Sequence, residues 1–333
     1  MPDVVERVDD LQRRRRVAGL PIAVTYKFFD DQGNYLAAIL TYYSFIAIFP
    51  MLLIASSVLG FLLQGDSKLQ QEVLNSALRQ FPIVGTQLGR PEGLQGSVSA
   101  VVVGSLAALY GVLGLGQAAQ NAISAAWAIP RNSRYNPIHS RLLTLLLLIV
   151  GGIAVLAVAV LSSLASHLEV FGSNVNIGVR WGSTIASVVL SALILSVMMR
   201  LASSERHSFR TVIPGATAIA LMWHVLQSLG GLYVSHVINK VSEMNAVFAL
   251  VLGLIALLYI AAVMAVLGIE INVVLAKRLY PRALLTPFTD DVELTSADQR
   301  VYTERAEAQR HKGFERVTVT FEPHPDDDRG EAG

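Results

Sequence analysis

Residues 142–166 read LLTLLLLIVGGIAVLAVAVLSSLAS, with no ionisable side chain anywhere in the run. A helix needs about 20 mostly apolar residues to cross the hydrocarbon core of a bilayer. This stretch is long enough to do so alone, and it has no polar face to turn toward water. Its reading decides the fold, because the rest of the chain repeats it. Apolar runs of spanning length also occur at roughly 36–64, 97–128, 178–199, 211–238 and 246–276. Several exceed the minimum, which predicts tilt or ends that project beyond the hydrocarbon.

Composition agrees. Only 15% of the 333 residues are charged and 53% are hydrophobic, whereas soluble domains are nearer a quarter charged. The chain has no cysteine, which excludes disulfides, thiolate nucleophiles and Cys-ligated metal sites. The opening residues are polar and amphipathic, so no signal peptide is expected. The sequence therefore predicts an all-α polytopic membrane protein of six transmembrane helices with interfacial amphipathic helices. Residues 1–35 form a basic N-terminal segment, 36–276 the transmembrane domain, and 277–333 a charged, largely disordered tail.

Orientation follows from where Lys and Arg fall in the connections. One side collects Arg7, Arg13, Arg14, Arg15, Arg16 and Lys27, then Arg131, Arg134 and Arg141. It also collects Arg200, Arg206 and Arg210, then Lys277, Arg278 and Arg282. The other side has only Lys68, Arg79, Arg90, Arg180 and Lys240. This bias puts both termini in the cytoplasm, as an even number of spans requires. Arg13–Arg16 beside a membrane predict contact with anionic lipid; membrane lipids are the expected partners and nucleic acid is not.

Two connections are themselves patterned. Leu69, Val73, Leu74, Ala77 and Phe81 recur at helical spacing in 68–81, an amphipathic helix expected on the outer face. In 21–33, PIAVTYKFFDDQG, Pro21 suits a first helical position and Ile22, Tyr26 and Phe29 share a side, which predicts a cytoplasmic interfacial helix. After Tyr280 the chain turns charged, with 12 acids and 6 bases in 283–333. Disorder is expected there.

Polar side chains inside the runs are the candidate site, since unsatisfied polar groups are costly in hydrocarbon and normally face protein or water. In LTYYSFIAIFP (40–50), Thr41 and Ser44 share a face, and Pro50 should kink the helix. In the second run Gly114, Ala118, Ala122 and Ala126 repeat every four residues, a spacing that lets backbones approach closely. Beside that stripe Gln117, Gln120, Asn121 and Ser124 form a polar line. In the fifth run Thr217, Ala220, His224, Ser228, Gly231 and Ser235 fall within about 40° of one line through His224, with Gln227 at its edge. Ser183, Ser187 and Ser191 read as packing. The last run holds one acid, Glu270, about 10 Å before Lys277 along the helix axis. It is expected either to pair with a cytoplasmic arginine or to couple an ion, with Tyr259 on nearly the same face. Thr41, Ser44, Gln117, Gln120, Asn121, His224, Gln227 and Glu270 are therefore the pathway candidates. No catalytic, metal or cofactor-binding set is expected.

With these residues laid out, the chain resembles the YihY/BrkB family of bacterial inner-membrane proteins, and most of all its YhjD-like branch. The resemblance rests on NYLAAILTYYSFIAIFPMLL (34–53), with its Ala-x-x-x-Tyr-Tyr-Ser-x-x-x-x-x-Pro pattern, and on LGQAAQNAISAAWAIPR (115–131). It continues through PGATAIALMWHVLQ (214–227) and FALVLGLIALLYIAAVMAVLGIEINVVLAKR (248–278). It implies six helices in the cytoplasmic membrane with both termini inside. It also implies movement of lipid or lipid-linked molecules, or cation–proton exchange; Glu270 and His224 would then carry the proton. The family's older label, ribonuclease BN, fits poorly: metal-dependent RNA cleavage wants clustered, water-accessible acids or histidines, and the connections here are short and arginine-rich. A third expectation is a non-catalytic scaffold that recruits partners through its charged ends. Transport is the preferred reading, and enzymatic activity is not expected.

Overall fold

Apolar runs of this length can satisfy their backbone in lipid only as helices. The computed structural model describes Asp9, Gln12 and residues 16–62, 98–153, 177–236, 243–284, 286 and 292–322, with only the backbone described at several helix ends. Among these residues there is no strand. The helices are α1 Arg16–Asp30, α2 Gly33–Leu62, α3 Val98–Ala126 and α4 Pro137–Ile153. They continue with α5 Ile177–Ala202, α6 Phe209–His236, α7 Glu243–Lys277 and α8 Ser296–Glu307. The protein is all-α, as expected.

Three segments are long and apolar enough to cross a membrane: Thr184–Ala202 of α5, Phe209–Leu229 of α6 and Val251–Lys277 of α7. Gly33–Ile48 and Pro137–Ile153 are apolar but shorter. The structure thus supports three of the six expected spans, and the others rest on the sequence. Exposed apolar side chains line whole helix faces: Leu142, Leu146, Ile149 and Ile153 on α4, and Ile185, Val189, Leu193 and Val197 on α5. Rows of this extent suit acyl chains rather than water.

Small residues decide the packing. α2 lies along α3 and also against α7, while α6 packs between α5 and α7. On α3, Ala118, Ala122 and Ala126 are buried. A side chain at Gly114 would strike the ring of Tyr43, and one at Gly111 would come within 2.9 Å of the Ala47 backbone nitrogen. The small-residue stripe is therefore the α2–α3 seam. The α6–α7 crossing is closer still. A Cβ on Gly215 would collide with the carbonyl oxygen of Gly268, and the Asn272 side chain accepts a hydrogen bond from the Gly215 N–H at 2.6 Å.

α1 differs from expectation in its bounds and its packed side. It starts at Arg16, so Pro21 lies inside it. Gly19, Ala23, Val24, Lys27 and Phe28 are buried, whereas Phe29 is exposed and Ile22 and Tyr26 are half-buried. This side packs on α7. α2 runs through Pro50 to Leu62, while the helix expected at 68–81 lies outside the described residues.

The tail also differs from the disorder expected of it. Residues 292–322 are described, and α8 starts with a capping box in which Thr295 and Asp298 each bond the other's backbone N–H. Ala297, Asp298 and Val301 are buried. Two reciprocal caps and a small apolar face hold a helix that average composition does not predict.

The α6–α7 crossing gives a direct test. Gly215→Ala should lower the melting temperature of the detergent-purified protein, because overpacking costs about 1–3 kcal/mol. Gly152→Ala, which meets nothing within 4 Å, should leave it unchanged or raise it slightly. Equal melting of the two variants would refute the close crossing.

Candidate functional site

Lys27 is on the packed side of an amphipathic helix, where an ammonium cannot stay charged without partners. Its surroundings provide three. It donates to the Asp31 carboxylate one helical turn on and to the Ala126 carbonyl oxygen at the end of α3, at 3.0 Å. The third is the Glu270 carboxylate of α7, at 3.7 Å. Lys27, Asp31 and Glu270 have side chains only 4%, 5% and 0% exposed. Burial works against the Lys27 ammonium, but Glu270 and Asp31 outweigh it and hold its pKa above the ordinary lysine value. Burial pushes the Asp31 carboxyl up, against the pull of Lys27. Among the described residues, neither oxygen of Glu270 makes a hydrogen bond. One ammonium thus faces two carboxylates, and Arg305 also acts on Asp31. The expected partner of Glu270 was an arginine; the structure gives it Lys27. Lys27 had counted in the sequence only toward orientation, although Asp31 at i+4 and apolar neighbours at Ala23, Val24 and Phe28 marked it as an inward lysine.

A second charged cluster adjoins the first. Arg282, fully buried, pairs with Asp30 at 2.7 Å and with Asp298 of α8. Asp298 also accepts the N–H groups of Ala283 and Thr295 at 2.8 and 2.9 Å. Lys277 donates to the Trp127 carbonyl at 3.0 Å and to Glu304 at 2.8 Å. Trp127 stacks on His207 with centroids 3.8 Å apart, and burial pulls the His207 imidazole down. Tyr135 donates to the Ser203 carbonyl at 2.8 Å. α1, the α3–α4 connection, the α5–α6 connection and the exit of α7 therefore meet at one end of the bundle. These are the four segments that charge counting had put on one side.

The pathway candidates separate into two groups. Gln120 is buried: its amide donates to the Ser140 carbonyl and the Thr144 hydroxyl at 3.1 Å each, and its oxygen accepts from the Ser140 hydroxyl at 2.7 Å. Thr41 is buried and bonds back to the Ala37 carbonyl at 2.7 Å. Both are satisfied inside the protein and act as packing groups. Gln117 and Asn121 are exposed, on the side of α3 that also shows Leu106 and Tyr110. Ser44, His224 and Gln227 are half-buried, Ser228 is exposed, and Glu270 is sealed in the Lys27 cluster. Tyr259 is 37% exposed and does not share the Glu270 environment. No contact among the described residues joins His224 to Glu270, so the structure does not bring together the two proposed proton carriers.

The fold and this charged end define an all-helical integral membrane protein. The chain belongs to the family described as virulence factor BrkB, whose family model matches residues 24–290. It is also 30% identical over 103 residues to the ribonuclease-like protein YfkH of Bacillus subtilis (strain 168). That match covers 30% of this chain and 35% of YfkH, about a third of the relative's length. No solved structure matches the chain.

Removing one member of a buried ion pair leaves the other charge uncompensated, at a cost of about 3–5 kcal/mol. Lys27→Met should therefore destabilise the detergent-purified protein by roughly that amount, and adding Glu270→Gln should recover a substantial part of it. Additive losses in the double variant would show that Lys27 and Glu270 do not interact.

Proposed function

We propose that this protein moves an amphipathic, lipid-like substrate across the bacterial cytoplasmic membrane, with both termini in the cytoplasm and without catalysing a reaction. The observation that carries this reading is the exposed face of α3. Leu106, Tyr110, Gln117 and Asn121 fall within about 60° of one another at 100° per residue. They run from apolar to polar toward the end that holds the charged clusters. Gln117 and Asn121 have no hydrogen-bond partner among the described residues. Carboxamides in an apolar helix need water or a polar ligand, and each offers two donors and an acceptor oxygen. A substrate with acyl chains and a polar head matches such a face from end to end.

The bulk membrane supplies the chains, and the basic residues near the charged end favour an anionic head. Arg16 opens α1, whereas Arg13, Arg14 and Arg15 lie outside the described residues; anionic lipid contact by these four belongs to the same proposal. The relative's ribonuclease-like name raises RNA cleavage as a rival. Against it, the acids Asp30, Asp31, Glu270 and Asp298 lie against Lys27 and Arg282 and have side chains at most 10% exposed. RNA and a hydrolytic water would need open carboxylates. The proposal accordingly includes neither nucleic acid nor a cofactor.

A second reading, sodium–proton exchange, is favoured by Glu270 alone, whose unpartnered oxygens sit beside Lys27 and Asp31. Its weakness is that the acid is closed off and has no pathway residue against it.

Reconstituting the protein in liposomes with a headgroup-labelled lipid tests both readings. Gln117→Ala with Asn121→Ala should slow lipid movement by about tenfold or more, the loss of two charge-assisted headgroup bonds. Gln120→Ala should instead lower thermal stability. Wild-type rates in the double variant would refute the α3 path. A pH dye inside the same liposomes, responding to a sodium gradient and silenced by Glu270→Gln, would favour exchange over lipid movement.

A further inference from the structure

The tail segment 316–322, RVTVTFE, follows α8 as extended chain with no secondary structure. Its side chains alternate. Val317 and Val319 are half-buried, whereas Arg316, Thr318 and Thr320 are exposed. That is the two-residue period of a strand with one face on the protein. Val317 lines a cavity of about 480 Å³ together with Pro130 of the α3–α4 connection and Glu307 and Arg310 at the end of α8. The start of this tail is tethered there by two backbone bonds, from the Arg131 N–H to the Ala308 carbonyl at 3.2 Å and from the Asn132 N–H to the Arg310 carbonyl at 3.3 Å. No hydrogen bond among the described residues engages the backbone of 316–322. It is therefore an extended segment rich in β-branched residues, with no backbone partner among the described residues and free to pair as a strand.

The sequence specifies what fits that edge. Pair the segment with an antiparallel copy of itself about Val319, and each cross-strand position is complementary. Val319 meets Val319, Thr318 meets Thr320, Val317 meets Phe321, and Arg316 meets Glu322. Each of these pair types stabilises an antiparallel ladder. Other registers lose this match. A shift of two residues sets Arg316 opposite Thr320 and leaves Glu322 without its basic partner; a shift of one sets Arg316 opposite Phe321.

We infer that 316–322 is a homodimerisation strand, which pairs antiparallel with the same segment of a second copy of this chain around a two-fold axis at Val319. The contact is isologous, so it closes at two copies and leaves one edge free on each side. A two-stranded ribbon is marginal by itself. This one gains from the partial burial of Val317 and Val319, and from confinement of both copies to one membrane, which raises their effective concentration. The dimer should accordingly weaken when the protein is diluted in detergent.

The absence of native cysteine makes the test clean. Val319→Cys in the full chain, in isolated membranes treated with a mild oxidant, should give a disulfide-linked dimer, because the two Val319 side chains meet on the axis. Lys312→Cys, exposed and outside the strand, should give little. In the Val319→Cys background, Arg316→Glu should cut dimer yield about tenfold by putting like charges opposite at both ends. Adding Glu322→Arg should restore it. Val319→Cys yields no higher than Lys312→Cys would overturn the inference. So would a double charge exchange that stays as low as the single, or a crosslink to another protein in place of the dimer.

Discussion

The architecture depends on the removal of one ammonium from water. Lys27 comes from a helix before the first long apolar run, and Glu270 from the last turns of the final one. Neither charge could be buried alone, because the penalty for each is several kcal/mol. Together with Asp31 and the Ala126 carbonyl they hold each other in place. The interaction joins α1, α3 and α7 at a single point. A merely surface-bound amphipathic helix would have kept its lysine in water, with the stem along the apolar surface and the head outside. Arg282 extends the same logic outward, since its pairing with Asp30 and Asp298 ties α8 to the same end. The result is an apolar bundle with a layer of buried ion pairs at one end.

That layer affects function by what it leaves open. Its acids lie beside Lys27 and Arg282 with side chains at most 10% exposed. On the flank of α3, Gln117 and Asn121 stay exposed and interrupt a face that is otherwise apolar at Leu106 and Tyr110. The small residues of the α2–α3 and α6–α7 seams set the helices close, with Gly215 against Gly268 as the tightest contact. Close seams leave little room for a solute between those helices. The proposed movement of an amphipathic molecule along an outer face draws on this packing.

The parts of this picture legible in the sequence were those written in local spacing. Gly114, Ala118, Ala122 and Ala126 announce a seam because only small residues permit one, whatever the partner helix. The basic connections announce a shared side, and the structure has them touching. The polar line on α3 was legible as a line but not as two populations. Gln117 and Gln120 are separated by about 60° around the helix, and whether the boundary of the protein falls between them depends on α4, which supplies Ser140 and Thr144. Lys27 was legible as a charge and not as a site, because its decisive partner comes from the other end of the chain. The tail was misjudged for the opposite reason. Its overall charge suggested disorder, while the signal that mattered was one pair, Thr295 and Asp298, at capping-box spacing.

The central claim is that α1 is a packed member of the bundle, held through Lys27. Hydrogen–deuterium exchange on the full chain in lipid nanodiscs measures this directly. If α1 is locked as described, the amides of residues 22–30 should exchange as slowly as those of 262–274 in α7, and Lys27→Met should release the first set well before the second. Exchange across 22–30 at the rate of an exposed surface helix in the unaltered protein would contradict the account.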